Sequence, residues 1–348
     1  MIIAFVVNDM MTELVDYTTT HLALEAIRRG HDVWYVGLSD FTYDSDEMVH
    51  ADVRGPVGRT YESTGELLGE LQSDRARRDR ITVDKIDVLM LRNDPSDEIH
   101  TRPWARLAAT NFGRLAMRHG VIVVNDPDGL YHAINKIYLQ YFPKSVRPRS
   151  IVTRNKDAIR SFADAEGGYI VIKPLAGSGG HNVFLIRPED APNFNQMIEA
   201  VLQDDYVIAQ EYLPEAVDGD TRLFMLNGRV LEHEGQVAAV HRRRSADDMR
   251  SNLSAGGTRS QADVTDEMRA LADTVAPRLI DDGIFLAGLD IVKDKLMEIN
   301  VFSPGALYGA SQLTGVNFME PVIVALERKV AHRDKHPGTR SNAELAVY

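Results

Sequence analysis

The stretch Phe285-Leu286-Ala287-Gly288-Leu289-Asp290-Ile291, followed after Lys293-Asp294-Lys295 by Leu296-Met297-Glu298-Ile299-Asn300-Val301, decides how this chain is read. Two apolar runs around a short charged turn predict strands over 285–290 and 296–300, paired as a hairpin. Asp290 ends the first strand in this reading, while Glu298 and Asn300 stand two apart on the second and share a face. Three oxygen donors can then converge. Carboxylates plus an amide oxygen are hard ligands suited to Mg²⁺ on a polyphosphate. Solvated acids on an exposed face would need no such explanation, but these sit among Leu286, Leu289, Ile291, Met297 and Ile299, where a charge needs a partner. Asp290, Glu298 and Asn300 are therefore candidate metal ligands.

The whole chain fits a soluble globular protein. It has 348 residues, 44% of them hydrophobic and 26% charged, with 39 basic against 51 acidic side chains and a formal charge of −12. The length suits two or three domains. The acid excess argues against a nucleic-acid or anionic-membrane partner, because those surfaces attract basic proteins. No cysteine is present, which removes disulfides, thiolate metal sites and a cysteine nucleophile. The apolar start Ile2-Ile3-Ala4-Phe5-Val6-Val7 is too short for a membrane span or a signal core and reads as a buried strand. The expected location is the cytoplasm.

Outward from the hairpin, residues 1–125 alternate strand and helix signals and predict a parallel-sheet α/β domain. Its strands fall at 2–7, 33–36, 88–91 and 121–124, with helices over 20–29 and 104–119 closed by Gly30 and Gly120. The polar stretch 39–85 reads as a loop-rich excursion with one exposed helix, and the basic run 75–80 as a solvated face. A helix carrying Lys136 leads to Pro143 and Pro148. Strands then fall at 169–173, 183–186 and 206–210, with helices over 156–165 and 193–202. Asn227-Gly228 is the strongest short hairpin signal. Residues 241–262 read as a polar loop, 266–280 and 319–329 as helices, and the tail from 335 as frayed until Leu345. The domains predicted are 1–125, a lid subdomain 126–210, a metal-bearing subdomain 211–335 and a tail 336–348.

Lys173-Pro174-Leu175-Ala176-Gly177-Ser178-Gly179-Gly180 follows the apolar strand 169–172. Small residues let backbone N–H groups approach an anion, and the lysine supplies a point charge. It is neither a Walker A loop nor Gly-x-Gly-x-x-Gly, since Asn182 occupies the last glycine's place. Taken alone, a flexible hairpin explains it as well. Gln210-Glu211-Tyr212-Leu213 leaves another apolar strand, where an acid and a backbone segment can read an adenine edge, and Asp220 can accept from ribose hydroxyls.

In their order and spacing these segments resemble the ATP-grasp superfamily and, within it, the bacterial glutathione synthetase family, from Met1 to about residue 329. The closest segments are 151–156, 173–180, 212–214, 218–220, 252–257, 288–291 and 298–301, joined in the first domain by Leu91-Arg92-Asn93-Asp94-Pro95 and Val123-Val124-Asn125. The resemblance implies a two-subdomain ATP-grasp fold, α+β in character, behind the N-terminal α/β domain. It implies an ATP-dependent ligase that joins γ-glutamylcysteine and glycine through an acyl phosphate, with two Mg²⁺ (or Mn²⁺) bound, and a homo-oligomer, tetramer or dimer. By position, Lys136, Lys173, Gly177, Ser178, Gly179 and Gly180 look like the phosphate binders, and Gln210, Glu211, Tyr212 and Leu213 like the adenine hinge. Asp220 looks like the ribose contact, and Asp290, Glu298 and Asn300 like the metal cluster. Arg222, Arg242 and Arg250 look like the catalytic and substrate-binding arginines, and Ser303, Pro304 and Gly305 like the substrate loop that Asn300 adjoins.

The departures fall on the acceptor side. Pro95 is followed by Ser96, Asp97 and Glu98 instead of a second proline, and the interval from Arg222 to Arg242 is a few residues longer than the family's. Gly305-Ala306-Leu307-Tyr308 stands where a threonine and an acidic stretch belong. A paralogous amide or peptide ligase with another acid or amine is the alternative reading. A regulatory ATP binder without turnover would be expected to lack the metal ligands or Arg222.

Overall fold

The computed structural model describes residues 1–99, 101–177, 182–203, 206–243 and 258–348. The first sheet holds β1 (Ile2–Val7), β2 (Asp32–Gly37), β3 (Phe41–Tyr43), β4 (Val49–Gly55), β5 (Arg77–Thr82), β6 (Val88–Leu91) and β7 (Ile122–Val124), ordered β3-β4-β2-β1-β6-β7 with β5 on β4. Its centre, β2-β1-β6-β7, is parallel as the alternation predicts, with α1 (Thr18–Arg28), α2 (Thr64–Leu71) and α3 (Ala108–Met117) between strands. The stretch 39–85 corrects the expectation of a loop-rich excursion. It forms an antiparallel wing, β3-β4-β5, and its helix α2 buries Leu67, Leu68 and Leu71. The wing was illegible because β5 is an exposed edge strand, Arg77-Arg78-Asp79-Arg80, with no apolar alternation. Its solvated basic face is as expected.

After α4 (Pro127–His132) come a second sheet, β8 (Ser150–Thr153), β9 (Ile170–Pro174), β10 (Phe184–Ile186) and β11 (Val207–Glu211), in the antiparallel order β10-β9-β11-β8. Helices α5 (Lys156–Ala165) and α6 (Phe194–Leu202) cover it, and its nine-residue core, from Ile159 to Ala209, is separate from the rest of the apolar interior. We call this sheet the lid wall.

The third sheet is the body wall. It is built from β12 (Asp220–Leu226), β13 (Arg229–Val230), β16 (Ala239–Arg243), β17 (Thr258–Gln261), β18 (Leu286–Val292) and β19 (Lys295–Asn300), ordered β17-β16-β12-β18-β19 with β13 on β12. A small ribbon, β14 (Glu232–His233) and β15 (Gln236–Val237), stands apart. Asn227 and Gly228 both have positive φ, +52° and +71°, as a two-residue hairpin turn requires. Helices α7 (Asp266–Asp281), α8 (Leu307–Thr314), α9 (Met319–Lys335) and α10 (Asn342–Ala346) complete the chain.

Two apolar cores run continuously from the first sheet into the third, joining Leu89 and Val123 to Leu223 and Leu289 on one side, and Phe5 and Met90 to Phe224 and Phe285 on the other. Buried Asn125 pins this joint. Its Nδ2 donates to the carbonyls of Leu286 and Val301 at 3.0 and 2.5 Å, and its Oδ1 accepts from the amides of Phe285 and Leu286 at 2.8 and 2.9 Å. The tail corrects a second expectation: it is docked, not frayed. Ser341 and Glu344 form a capping box, Asn342 binds the backbone of Val123 and the Asp126 carboxylate, and Ala346 is buried.

Candidate active site

On the body wall the hairpin forms, but Asp290 lies inside β18 rather than at its end, because apolar Ile291 and Val292 continue the pairing. Register places Arg222, Asp290 and Glu298 opposite one another across β12, β18 and β19, with Asp220 opposite Arg242. Directly opposed residues in an antiparallel pair share a face. One row of charge results.

Within it, the Asp290 carboxylate accepts from Arg222 Nε at 2.7 Å and Nη2 at 2.8 Å, from Arg242 Nη2 at 2.7 Å and from Asn300 Nδ2 at 3.1 Å. Burial opposes ionisation of Asp290, but the two guanidiniums outweigh it and hold the carboxyl down at about 2. Arg242 also forks onto Asp220, Nε to Oδ1 at 2.7 Å and Nη2 to Oδ2 at 2.6 Å. Gly219 makes this crossing possible, since a Cβ there would lie 2.0 Å from the Arg242 carbonyl oxygen and its φ is +103°.

The lid wall carries Lys173 on β9, and Lys136 opens a 3₁₀ turn, Lys136–Tyr141, capped by the Asn135 side chain. Lys136 Nζ donates to the Gly177 carbonyl and lies 4.0 Å from Glu298 Oε1. Burial pulls the Lys173 ammonium down to about 8; Glu298 opposes that and Lys136 adds to it. Between the walls runs a cleft lined by Lys136, Leu139, Lys173, Leu175, Gly177 and Ile208 on one side and Met297, Glu298, Ile299, Asn300 and Ser303 on the other. Its lining combines apolar side chains with charged ones, which suits a flat base with a phosphate tail.

Gln210, Glu211, Tyr212, Leu213, Pro304 and Gly305 are not among the residues that line this cleft. Gln210 stands two positions beyond Ile208 on β11 and is buried, and its Oε1 has no hydrogen-bond partner among the described residues. Glu211 accepts from the Arg149 backbone N–H at 2.7 Å and pairs with its guanidinium at 2.5 Å. The Tyr212 ring faces Tyr169 at 6.4 Å, and Leu213 precedes a 3₁₀ turn. The Pro304 carbonyl accepts from Arg92 Nη2 at 3.3 Å and the Gly305 carbonyl from Arg222 Nη1 at 3.4 Å. Ser178, Gly179, Gly180 and Arg250 lie outside the described residues, as does the 252–257 segment.

Three features escaped the sequence reading. The first is the anchor of the Lys136 turn: Tyr138 Oη donates to Asp282 at 2.7 Å, and Asp282 also accepts from Arg278 Nε at 2.6 Å. No local signal links positions 138 and 282. The second is α8 after the substrate loop, whose Leu307 and Ala310, three apart and both buried, were its only cue. The third is a polar cluster around Glu13 and Arg92.

For a divalent cation, Glu298 and Asp290 stand opposite one another with the Asn300 amide beside them, a set of oxygen donors that leaves coordination places for phosphate. Among the described residues, no group of three or more His, Cys, Asp or Glu side chains converges. The donor set thus fits Mg²⁺ shared with a nucleotide rather than a protein cage, and Asp290 would exchange part of its arginine contact on ligating.

An antiparallel lid facing an antiparallel body wall across a lysine-flanked cleft defines an ATP-grasp fold. The solved D-cycloserine synthetase aligns with a TM-score of 0.63 at 18% identity, over 94% of this chain and 99% of that one. The ATP-grasp ligase PsnB, complexed with a minimal precursor, aligns at 0.60 and 19%, over 93% and 98%. The profile of the prokaryotic glutathione synthetase ATP-grasp domain matches residues 135–315, and that of the corresponding N-terminal domain matches residues 1–131. The chain belongs to the prokaryotic glutathione synthetase family. The glutathione synthetase of Synechococcus elongatus is 32% identical over 94% of this chain and 98% of its own length, and that of Bradyrhizobium diazoefficiens is 32% identical over 90% and 93%.

Proposed function

We propose that this chain is an ATP-dependent carboxylate–amine ligase that joins γ-glutamylcysteine to glycine, giving glutathione, ADP and phosphate. The observation that carries the chemistry is the cleft itself, with half-buried Lys136 and Lys173 facing Glu298 beside the arginine-held Asp290. The acid comes from the family to which the chain belongs.

A substrate carboxylate oxygen attacks the ATP γ-phosphorus and ADP leaves, giving an acyl phosphate. The amine nitrogen attacks the acyl carbon, phosphate departs with the C–O electron pair, and the nitrogen gives up a proton. Catalysis in such a site is positioning and charge neutralisation. Lys136, Lys173, Gly177, Ser178, Gly179 and Gly180 hold the phosphates in this reading. Leu175, Ile208, Met297 and Ile299 sandwich the base, with the buried Gln210 oxygen and the 211–213 backbone at its edge. Asp220 reaches a ribose hydroxyl only by sharing its Arg242 fork. Glu298, Asp290 and Asn300 would hold Mg²⁺, two ions in this reading, which when bound shields the phosphate charge from the incoming carboxylate. Arg222, Arg242 and Arg250 neutralise the transferred phosphoryl group, and the Ser303-Pro304-Gly305 loop orients the acid.

The acceptor side supports a second reading, a paralogous ligase with another acid or amine. The His21 and Tyr308 rings stack at 3.4 Å beside the substrate loop, a wall made from the departing segment. ADP release with Mg²⁺, ATP, γ-glutamylcysteine and glycine, repeated with each substrate omitted, separates the two. ADP formation dependent on both supports glutathione synthesis, and indifference to both leaves only the second reading. The domain limits 1–125, 126–210, 211–335 and 336–348, a homo-oligomeric state and a cytoplasmic location are part of the same proposal. Among the described residues, no helix is long and apolar enough to cross a membrane.

A further inference from the structure

The turn that follows β6 forms a third side of the cleft. Asp94, Pro95 and Ser96 of the first domain line it together with Lys136, Lys173 and Glu298. Among the described residues of that lining, Asp94 and Glu298 carry the carboxylates, and none is a histidine. The two acids differ in what surrounds them. Glu298 lies 4.0 Å from Lys136 and also acts on the Lys173 ammonium. Asp94 Oδ1 accepts from the Ser96 N–H at 2.9 Å and from the Ser96 hydroxyl at 2.5 Å, and neither Asp94 oxygen pairs with a cation among the described residues.

The turn is held rigidly. Asn8, directly after β1, grips the Asp94 backbone twice: its Oδ1 accepts from the Asp94 amide at 2.7 Å and its Nδ2 donates to the Asp94 carbonyl at 2.9 Å. The same Nδ2 donates to Glu98 Oε1 at 2.7 Å. Buried Glu98 takes Arg102, Nε at 2.8 Å and Nη2 at 2.7 Å, and Arg102 Nη2 returns to the Asn8 carbonyl at 3.1 Å. Glu98 and Arg102 therefore neutralise each other, and Asp97 adds only further negative charge to the turn. Ser96 stands where the family carries a second proline. Proline has neither an N–H nor a hydroxyl, so both bonds that orient Asp94 exist because of this departure.

We propose that Asp94 receives the incoming amine and takes its proton, with Ser96 as its positioning residue. This rests on the ligase reading and deepens it. An amine that arrives as an ammonium must lose two protons to become an amide N–H. Asp94 Oδ2, which Ser96 leaves open, accepts the first and so frees the nitrogen lone pair. That pair forms the C–N bond to the acyl carbon. The C–O bond breaks, and its electrons leave on phosphate, which carries the second proton away. Asp94 returns its own proton to water as product departs. The other groups of the cleft are committed elsewhere: the two lysines serve the phosphates as ammonium groups, Glu298 serves the metal, and Tyr138 Oη donates to Asp282.

The test is ADP release by the full chain with Mg²⁺, ATP and γ-glutamylcysteine, with either glycine or hydroxylamine as the acceptor. Hydroxylamine is uncharged at neutral pH, so it traps an acyl phosphate as a hydroxamate without a first proton to lose. Asp94→Asn keeps the oxygen that Ser96 binds and removes the base. It should lower kcat/KM for glycine by roughly 100- to 1000-fold, within the range for general-base catalysis, while hydroxamate forms at close to the wild-type rate. Asp94→Glu, which keeps the carboxylate, should fall between the two. Each protein is read as the ratio of its own two rates, which does not depend on the fraction folded. An Asp94→Asn protein with the wild-type ratio overturns the assignment, as does an Asp94→Glu protein no better than Asp94→Asn. Either result with an active wild type removes Asp94 alone. A wild-type protein that releases no ADP with either acceptor removes the glutathione reading and this role with it.

Discussion

On the body wall, Asp290 accepts from two arginines and an asparagine, Asp220 takes the fork of Arg242, and the strands that carry them share their core with the first sheet. On the lid wall, Lys173 has no ion pair among the described residues and feels Glu298 only at a distance, Lys136 is 4.0 Å from the Glu298 carboxylate, and the sheet rests on its own small core. The same charge types are thus preassembled on one wall and left open on the other. A buried ion pair with its hydrogen bonds made resists rearrangement, whereas a half-buried cation without a close carboxylate gains most when an anion arrives. In the proposed reading the body wall holds geometry while the lid wall supplies affinity.

The largest expected effect tests where the walls meet. Glu298→Gln removes the carboxylate that faces both lysines and should lower ADP release about 1000-fold, a loss of roughly 4 kcal/mol of transition-state stabilisation, with an unchanged melting temperature. Near-normal turnover would falsify the metal role of Glu298.

Asp290→Asn probes the preassembled wall. It leaves Arg222 and Arg242 without the carboxylate they share, and should cost about 3–5 kcal/mol in denaturant unfolding. A variant as stable as the wild type would mean that the row is screened by water and not a rigid frame.

Ile172→Ala probes the independent lid core. Truncating this fully buried side chain should cost about 2–4 kcal/mol, and hydrogen exchange should rise across 150–211 while the first and third sheets keep their protection. Equal loss of protection everywhere would show that the two walls fold as one unit.

The smallest effect is in pH. With Lys173 lowered from 10.5 to about 8, the folded protein gives up this proton before the unfolded chain does. Between about pH 8 and 10.5 the unfolded state therefore binds more protons, and stability rises with pH from this group. ATP affinity moves oppositely, because only the ammonium binds phosphate; Kd should weaken above about pH 8 by at most about tenfold per unit. Lys173→Arg, always charged, should flatten that slope, and a wild-type Kd constant from pH 7 to 10 would remove the perturbed lysine from the comparison.

The two walls also differ in how far the sequence disclosed them. The 285–301 stretch exposed its hairpin because acids inside apolar strands break a pattern, and Asn227-Gly228 exposed its turn because both positions need positive φ. Asp290 was misplaced to a strand end, since a charge looks like a terminus when its buried partners, Arg222 and Arg242, lie 68 and 48 residues away. The wing at 39–85 and the docked tail were misread for the opposite reason. Edge strands and short capped helices carry polar residues, and their apolar contacts come from elsewhere in the chain. Glu13 and Arg92 stand far apart in sequence, so their juxtaposition had no local signal.

The sequence alone determined the alternation that makes the first sheet parallel at its centre, the hairpin that carries the acids and the residue types able to hold phosphate. These follow from side-chain periodicity and turn chemistry, which act over a few residues. Only the tertiary structure decided which charges neutralise one another, which lysines lack a close carboxylate among the described residues, and how deeply Glu13 and Arg92 are buried. Pairing and burial are long-range properties, set by how three sheets pack.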